Sequence, residues 1–405
     1  MMMKKSVDLQ SALSTPKQRI AEQIARLPKS GIREFFDLVS GAKDIISLGV
    51  GEPDFVTPWT IRESAIYSLE KGHTTYTSNY GLLALRRAIC NYVSRDYGVE
   101  YNPEHECLVT VGVSEALDLA VRAILNPGDE VIYTEPCFVS YPAEIAMAHG
   151  VPVPIATYEK NAFALDPADL RRKITPKTKA VLINFPCNPT GAVLSMEQMQ
   201  EIAGIVIEND LILLTDEIYS ELSYTGRLPS IASLPGMKDR TIFLHGFSKA
   251  FAMTGFRIGY ACGPADLIDA MMKIHQYGMM CASITSQEAA LEALANAGED
   301  MEKMRLSYEE RRNMLVAGLN KIGLPCLLPN GAFYAFPRIT ETGLDSHTFA
   351  KRLLLEHKVA VVPGNAFGAS GEGYVRCCYA TAASDIRIAL DRMEEFVNKV
   401  KKEQR

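Results

Sequence analysis

The sequence predicts an α/β protein whose larger domain is a mostly parallel β-sheet with helices on both faces. Apolar runs rich in β-branched residues alternate with helical segments between residues 108 and 247, which is typical of a buried parallel sheet. After residue 296 the pattern changes to a long charged helix and short strand-like runs. The 405 residues also exceed the size at which one core usually stops growing. We therefore expect a large domain over 51–295 and a smaller α+β domain over 296–405, packed with an N-terminal segment over 1–50.

Charge and composition argue against nucleic acid, membrane or metal as a main partner. The 42 lysines and arginines and the 48 aspartates and glutamates give a net charge of −6, and no long basic run interrupts the sequence. No apolar run approaches the roughly 20 residues that span a bilayer, and no apolar signal region follows the first residues. The nine cysteines lack a C-x-x-C pair and the seven histidines fall singly. We expect reduced core cysteines, no metal site and a cytoplasmic protein.

The predicted elements follow in order along the chain. A polar, helix-permissive segment over 1–45 precedes a short strand run and a loop with glycine and proline, 45-IISLGVGEPDF-55. Residues 60–98 are mainly helical in pattern, and residues 108–133 form a strand–helix–strand unit. In that unit Gly112 follows the strand run, and helically spaced apolar residues follow it: Ala116, Leu117, Ala120 and Ile124. The free N–H groups at such a helix start predict an anion site.

The alternation of helices and strands continues to residue 247. Helices are predicted over 139–149, 167–174 and 196–209, and strands over 151–156, 179–186, 211–217 and 241–247. The smaller domain is predicted to contain a helix over 301–322, strand runs over 332–339 and 373–380 with a helix between them, and a terminal helix to 403. Ligands of parallel sheets bind beyond the carboxyl ends of the strands. Polar residues lie at those ends and predict a site there: Ser114, Asn188, Asp216, Tyr219 and Lys249.

Lys249 is the candidate nucleophile. It lies in 247-FSKAFAMTGFRIGY-260, between an apolar strand-like run and a loop that contains glycines. Burial disfavours the ammonium form, and a neutral lysine forms Schiff bases with aldehydes. Arg257 beside it can hold a phosphate through two hydrogen bonds. A lysine nucleophile with a phosphate clamp suggests pyridoxal 5'-phosphate (PLP), whereas the alternative is an ordinary exposed loop lysine.

Asp216, Tyr219 and Asn188 have an electronic role if a pyridine ring binds beside them. Asp216 would keep the ring nitrogen protonated, so that the ring accepts the electron pair of a carbanion. Tyr219 and Asn188 would donate hydrogen bonds to the ring's phenolate oxygen. Each residue also has a simpler interpretation: Asp216 as a helix cap, and the N-P-T-G sequence that begins at Asn188 as a turn.

Two further residues have two interpretations each. Phe138 either stacks on the cofactor ring or belongs to the core. Arg376 interrupts the apolar strand run over 374–380, so it either extends to solvent at a sheet edge or binds a carboxylate in a cleft. The cleft is the interpretation that a carboxylate-bearing substrate favours.

Seven motifs together resemble one family. They are G-E-P-D-F at 51–55, G-V-S-E-A-L at 112–117, N-P-T-G at 188–191, D-E-I-Y at 216–219, S-K-x7-R at 248–257, G-A-F-Y at 331–334 and Y-V-R at 374–376. In this order they cover essentially the whole chain and closely resemble the class I, fold type I PLP-dependent aminotransferases, near the bacterial aspartate/aromatic branch. The resemblance implies a seven-stranded-type sheet in the large domain.

The resemblance also implies a role for each site residue. Lys249 would hold PLP as an internal aldimine and then move the proton between Cα and C4', with Asp216 on the pyridine nitrogen and Tyr219 and Asn188 on O3'. The other implied cofactor contacts are Phe138 stacked on the ring and Arg257, Ser248, Val113 and Ser114 on the phosphate. Arg376, backed by Gly51, would bind the substrate α-carboxylate. Members are usually homodimers, and Tyr76 resembles the tyrosine that reaches the partner's phosphate.

Two departures from the family pattern bear on substrate and cofactor. Ser114 stands where aspartate-specific bacterial members have a lysine for the distal carboxylate, and no arginine occurs over 273–287, where animal-type members place theirs. A dedicated dicarboxylate site is therefore not expected. Gly246 stands where some members have a phosphate-binding serine, which removes one donor.

The expected activity is ping-pong transfer of an amino group from an L-amino acid to a 2-oxo acid, with aspartate, aromatic, alanine or broad donor preference. One alternative is a PLP-dependent β-C–S lyase on the same fold, which would release pyruvate and ammonia without an added 2-oxo acid. Another alternative is a non-catalytic ligand-sensing domain. It would normally need an attached DNA-binding segment, for which about 45 residues before the first motif leave no room.

Overall fold

The computed structural model describes residues 19–27, 44–227 and 229–404. Its α-helices are α1 (Glu22–Ala25), α2 (Trp59–Glu70), α3 (Leu83–Tyr97), α4 (Gly112–Ile124), α5 (Ser140–Met147), α6 (Pro167–Lys173), α7 (Met196–Glu208), α8 (Ala265–Gly278), α9 (Ile284–Asn296), α10 (Gly298–Lys321), α11 (Ser346–His357) and α12 (Ala383–Glu403). Its strands are β1 (Ile46–Ser47), β2 (Cys107–Thr110), β3 (Glu130–Glu135), β4 (Val151–Ala156), β5 (Thr178–Asn184), β6 (Ile212–Asp216), β7 (Thr241–Gly246), β8 (Gly259–Cys262), β9 (Tyr334–Ala335), β10 (Val359–Ala360), β11 (Val362–Pro363) and β12 (Val375–Cys378).

The main sheet has seven strands in the order β2-β8-β7-β6-β5-β3-β4. The strands from β7 to β4 are mutually parallel, whereas β8 is antiparallel to both of its neighbours. Because β8 reverses direction, β2 and β7 run the same way and their carboxyl ends lie at the same edge. The predicted α/β fold with a mostly parallel sheet is therefore confirmed.

The strand runs are apolar throughout because both faces of the sheet are buried. In β5, Ala180 and Leu182 pack in one hydrophobic cluster with α4, α5 and α8, whereas Val181 and Ile183 pack in another with α7. Successive side chains of a strand point to opposite faces, so each face needs its own apolar residues. This burial fixes the strand ends, and with them the polar residues that follow.

A second group of elements covers the carboxyl edge of the main sheet. A three-stranded sheet in the order β11-β12-β9 packs with α10, α11 and α12 around one hydrophobic cluster, in which Phe349 and Phe396 are fully buried. The short strand β1 pairs in parallel with β10. Strand β12 carries Arg376 opposite Val362 of β11.

Most predicted elements lie within three residues of the observed ones, with two differences. The strand run predicted over 332–339 is a strand only at Tyr334–Ala335, because Pro337 has no N–H to donate to a ladder. Strand β8 and helices α8 and α9 were not predicted, since the four residues of β8 lie within a glycine-rich stretch that is typical of a loop. Most of the segment predicted over 1–45 lies outside the described residues.

Three sequence expectations concern membrane segments, metal ligands and cysteines. Within the described ranges, no helix combines the length and apolar content that crossing a bilayer needs. In the same ranges, no three histidine, cysteine or acidic side chains come together as metal ligands would. The nine cysteines are free thiols, and all except Cys281 are buried.

Candidate active site

A cavity of about 380 Å³ opens at the carboxyl ends of β5, β6 and β7. This volume lies within the usual range for small-molecule sites, about 300–1,000 Å³. Its wall contains these predicted site residues: Gly51, Val113, Ser114, Phe138, Asn188, Asp216, Tyr219, Ser248, Lys249, Arg257 and Arg376. Tyr76 is not part of the wall, and its side chain is 78% exposed. The structure therefore brings the predicted residues together within one chain, except for Tyr76.

Lys249 lies on the cavity wall, three residues beyond the end of β7. Its Nζ donates a hydrogen bond of 2.8 Å to the carbonyl oxygen of Gly51. The same atom lies 5.9 Å from the ring centroid of Tyr219 and 5.8 Å from that of Phe333. Burial among these groups lowers the pKa of Lys249 to about 8. At pH 7 about a tenth of the amine is therefore neutral and nucleophilic, far more than for an unperturbed lysine.

Asp216 ends β6 and is buried. Its Oδ2 accepts a hydrogen bond of 2.7 Å from the Tyr141 hydroxyl, and its Oδ1 accepts one of 3.2 Å from the Ile218 backbone N–H. Burial raises the pKa of Asp216, and both hydrogen bonds oppose that rise. The Ile218 contact is a bond within the turn that follows β6 and not the helix cap of the simpler interpretation, because the next helix, a 3₁₀ helix at Ser220–Leu222, has Tyr219 as its N-cap.

Tyr219 and Asn188 are held by polar neighbours. The Tyr219 hydroxyl lies 2.8 Å from the Tyr334 hydroxyl. The Asn188 backbone N–H donates to Asn184 Oδ1 at 3.0 Å, and its Oδ1 accepts from Arg376 Nη1 at 2.9 Å. Burial raises the pKa of Tyr219 well above its usual value, so its hydroxyl remains a hydrogen-bond donor.

Arg376 is buried inside the cavity wall. Its Nη2 donates to the Gly49 carbonyl oxygen at 2.6 Å, and its guanidinium lies 4.4 Å from the Tyr334 ring and 4.8 Å from the Phe367 ring. Its Nε has no hydrogen-bond partner among the described residues. A buried guanidinium without a carboxylate is costly, so this site suits a ligand that brings one.

The start of α4 and Arg257 form the opposite end of the cavity. Gly112 has a φ of 77°, in the left-handed region that favours glycine. A Cβ at Gly112 would lie 2.7 Å from Arg257 Nη2. Val113, Ser114 and Ser248 line the same end. Free N–H groups at a helix start, beside a guanidinium, are typical of a phosphate site.

Gly246 departs from the family pattern for a steric reason. A Cβ at this position would lie 2.9 Å from Val113 Cγ2 and 3.1 Å from Gly259 Cα. A serine therefore has no room here unless the phosphate end of the cavity moves. At Gly246, β7 therefore packs closely against the start of α4.

These residues fit PLP. The cradle at Gly112 and Arg257 suits its phosphate, the buried carboxylate of Asp216 suits its protonated ring nitrogen, and the amine of Lys249 suits its aldehyde. Phe138, packed edge-on against Tyr141 at 5.8 Å, offers an aromatic face to the cavity. Arg376 Nε, which has no hydrogen-bond partner within the described ranges, suits the carboxylate of an amino acid.

Comparisons with known proteins identify the family. The family described as aminotransferase class I and II matches residues 43–393. The chain belongs to this family. A putative aminotransferase of Bacillus subtilis, YugH, is 54% identical, covering 94% of this chain and 98% of its own. The aspartate aminotransferase of Pyrococcus abyssi is 45% identical, covering 94% and 99%. The structure of an aromatic aminotransferase from Pyrococcus horikoshii superposes with a TM-score of 0.87 at 45% identity, covering 91% and 99%.

Class I and II aminotransferases of this family use PLP, and this chain is a PLP-dependent aminotransferase. The lyase alternative is not favoured, because the relatives above carry aminotransferase names. The chain is an enzyme, so it is not the non-catalytic ligand-sensing domain of the other alternative.

Several residues of the cavity wall were not predicted from the sequence. They are Val50, Glu52, Leu117, Tyr141, Asn184, Ile218, Thr254 and Tyr334. Tyr141 and Tyr334 contact Asp216 and Tyr219 directly. Both tyrosines lie close to recognised residues, since Tyr141 follows Phe138 by one helical turn and Tyr334 ends the G-A-F-Y motif. That proximity was the available signal, but a tyrosine in an apolar run is more often a core residue.

Proposed function

We propose that this cavity is the site of transamination and that its residues hold PLP in a single orientation. When bound, the cofactor supplies an aldehyde for the donor's amino group and an electron sink for the bond that breaks. The phosphate is assigned to Arg257, Ser248 and the turn at Val113 and Ser114, whose cradle supports that assignment. Phe138 is assigned to the ring face.

The acid–base roles are assigned to Lys249 and Asp216. Lys249 Nζ would take the proton from the donor's Cα and deliver it to C4' of the cofactor, a role that suits an amine with a pKa of about 8. Asp216 holds the proton of the ring nitrogen, and the Tyr141 hydrogen bond supports its ionised form. Tyr219 and Asn188 are assigned to the phenolic oxygen of the cofactor. Both are buried and line the cavity, and each has a group that can donate a hydrogen bond.

Arg376 is assigned to the α-carboxylate that every donor and acceptor presents. Its Nε, buried and without a hydrogen-bond partner in the described part of the chain, is the observation that carries the assignment. Gly51 lies beside the proposed carboxylate position. A Cβ at Gly51 would lie 2.4 Å from the Tyr334 hydroxyl oxygen and would disturb the contact of Tyr334 with Tyr219. An amino acid held at one end by Arg376 presents its Cα to Lys249, which shares the wall.

The donor is proposed to have a neutral or aromatic side chain, or to vary broadly, rather than to be a dicarboxylate alone. The cations in the described cavity wall are Lys249, Arg257 and Arg376, and each already has a role. No further cation of the described wall remains for a second carboxylate. Relatives of nearly equal identity are named for aspartate and for aromatic amino acids, so their names do not choose between these donors.

The active form is proposed to be a homodimer. Tyr76 lies between α2 and α3, and nearby Asn79 donates to the Met280 carbonyl oxygen at 2.7 Å. This contact places the Tyr76 loop beside the segment of Tyr277, which is 87% exposed, and Met279. Large exposed apolar side chains in one region are typical of an interface between copies. The nine free thiols also fit a cytoplasmic location, where thiols stay reduced.

We propose the domain division that the sequence predicts, with a large domain over 51–295 and a smaller domain over 296–405. The hydrophobic cluster around β9 and β12 contains residues mostly beyond 296, joined by Leu48 from the N-terminal segment. The clusters that cover the main sheet contain residues between 61 and 297. Although a small cluster with Phe163 and Phe336 joins them, largely separate cores support a large unit over 51–295 and a smaller unit over 296–405.

One titration tests the activity and the donor class together. The absorbance of the purified protein is recorded while aspartate, phenylalanine and alanine are added separately, and then a 2-oxo acid is added. A visible cofactor band should fall with the preferred donor and return with the 2-oxo acid, whereas Lys249→Ala should show neither change. Release of thiol, pyruvate and ammonia from an S-substituted cysteine, with the visible band kept and no 2-oxo acid added, would indicate a lyase. A response to aspartate alone would contradict the proposed donor class.

A further inference from the structure

A buried ionisable pair lies behind the phosphate end of the cavity. His275 of α8 is fully buried, and its Nδ1 lies 2.7 Å from Glu115 Oε1. Glu115 belongs to the first turn of α4, and its Oε2 accepts the Val111 backbone N–H at 2.5 Å. The Glu115 carboxylate therefore links His275 of α8 to Val111, the residue that precedes the turn at Gly112. Both Glu115 and His275 lie outside the cavity wall.

Stability alone does not account for this pair. Removing a carboxylate and an imidazole from water costs free energy that their mutual contact offsets only in part. His275 Nε2 also has no hydrogen-bond partner within the described chain, so the pair is not fully satisfied. An apolar pair of similar size would fill the space between α4 and α8 at lower cost. The pair is better explained by what it holds in place.

The turn at Gly112 is held on two other sides already. On one side Arg257 leaves no space for a side chain at Gly112. On another, β8 approaches so closely that a Cβ at Gly259 would lie 2.8 Å from the Val113 backbone nitrogen. Glu115 holds the third side through the Val111 N–H. A turn fixed in this way presents its N–H groups in one direction, which binding a phosphate requires.

We propose that Glu115 and His275 are positioning residues for the phosphate of the cofactor. His275 fixes the rotamer of Glu115, and Glu115 fixes the backbone at Val111, so that the N–H groups of Val113 and Ser114 keep their direction. The inference rests on the proposed function, because it takes this turn to be the phosphate site. Neither residue contacts the reacting atoms.

The test compares two ligands that differ only in the phosphate. The full-length chain, freed of cofactor, is titrated with PLP and with pyridoxal, and binding is followed by visible absorbance. Glu115→Ala and His275→Leu each remove the contact, whereas His275→Asn keeps an N–H near the position of Nδ1 and serves as the matched control. We expect the first two variants to bind PLP about tenfold more weakly and pyridoxal within about twofold of the unchanged chain. His275→Asn should retain PLP binding.

The outcomes distinguish failure of the positioning role from failure of the phosphate-site assignment. Equal weakening of PLP and pyridoxal, or unchanged PLP binding in Glu115→Ala and His275→Leu, would overturn the positioning role. If the unchanged chain binds PLP no more tightly than pyridoxal, the assignment of the phosphate site itself fails. Should His275→Leu or Glu115→Ala not fold, Glu115→Met keeps nearly the size of the side chain and removes both oxygen acceptors. It should show the same selective loss of PLP affinity, and equal loss of both ligands would count against the role.

Discussion

Tyr141 donates a 2.7 Å hydrogen bond to Asp216, and this contact lowers the proton affinity of a carboxyl whose pKa burial raises. Tyr141→Phe removes the donor and should raise the pKa of Asp216 further. The carboxylate would then hold the ring-nitrogen proton less well. We expect kcat to fall about tenfold, the effect of one lost hydrogen bond to a charged group, with a smaller change in KM. Steady-state kinetics with a saturating 2-oxo acid measure this.

Tyr101→Phe is the control for that experiment. Tyr101 is also buried, but its hydroxyl has no hydrogen-bond partner in the described part of the chain. Its removal should leave kcat unchanged. Equal losses in the two variants would show that Tyr141 acts through packing and not through Asp216.

The rate at which the cofactor-free chain takes up PLP should rise with pH, reach half its maximum near pH 8 and then level off. Only the neutral amine attacks an aldehyde, and the neutral fraction of Lys249 grows as pH rises through its pKa of about 8. An unperturbed lysine would keep gaining rate up to about pH 10.4. Stopped-flow absorbance across pH 6 to 10 measures the midpoint. A midpoint near the unperturbed value would show that burial does not activate Lys249.

Arg376→Ala should raise KM for every donor alike, by about a hundredfold, because each donor loses the same partner for its α-carboxylate. Arg338→Ala is the matched control, since Arg338 forms a partly exposed ion pair with Glu159 at 2.7 Å outside the cavity wall. Its loss should leave KM nearly unchanged. An effect of Arg376→Ala on one donor class only would assign the residue to side-chain recognition.

Gly112→Ala and Gly72→Ala separate backbone strain from steric contact. Both glycines have nearly the same φ, 77° and 78°, but a Cβ at Gly72 would meet nothing within 4 Å. Each substitution should lower the free energy of unfolding by about 1 kcal/mol, because alanine disfavours this backbone region. Only Gly112→Ala should also weaken PLP binding, by about tenfold or more, since its methyl group would displace Arg257. Chemical denaturation and PLP titration measure the two effects. PLP affinity unaffected by Gly112→Ala would argue against the phosphate site.

Mixing two inactive variants tests whether Tyr76 serves the partner's site. Tyr76→Ala and Lys249→Ala should each lose activity, and their mixture should regain about a quarter of the activity of the unchanged chain. In a mixed dimer one site receives Lys249 from one copy and Tyr76 from the other, and is therefore complete. The assay follows exchange of subunits, with sedimentation velocity to report the dimer. No recovery despite demonstrated exchange would place Tyr76 at its own site or at none.

The strand ends could be predicted because they depend on local pattern. The apolar runs that became β5, β6 and β7 ended where polar residues began, and parallel strands bring such ends to one edge. Asn184 and Asp216 lie side by side in the observed register. Strand β8 was not predicted, because the reversal that makes it antiparallel depends on pairing with β2 and β7 and not on its own four residues.

The sequence by itself determined the fold class, the family and many of the residues that line the cavity, because motif order and strand periodicity are local properties of the chain. Tertiary structure decided which side chains hold those residues. Tyr141 on Asp216, Tyr334 on Tyr219, and His275 on Glu115 join positions far apart in sequence. A tyrosine or histidine in an apolar run carries no mark of its partner, and folding alone brings the partner within 3 Å and removes the competing water.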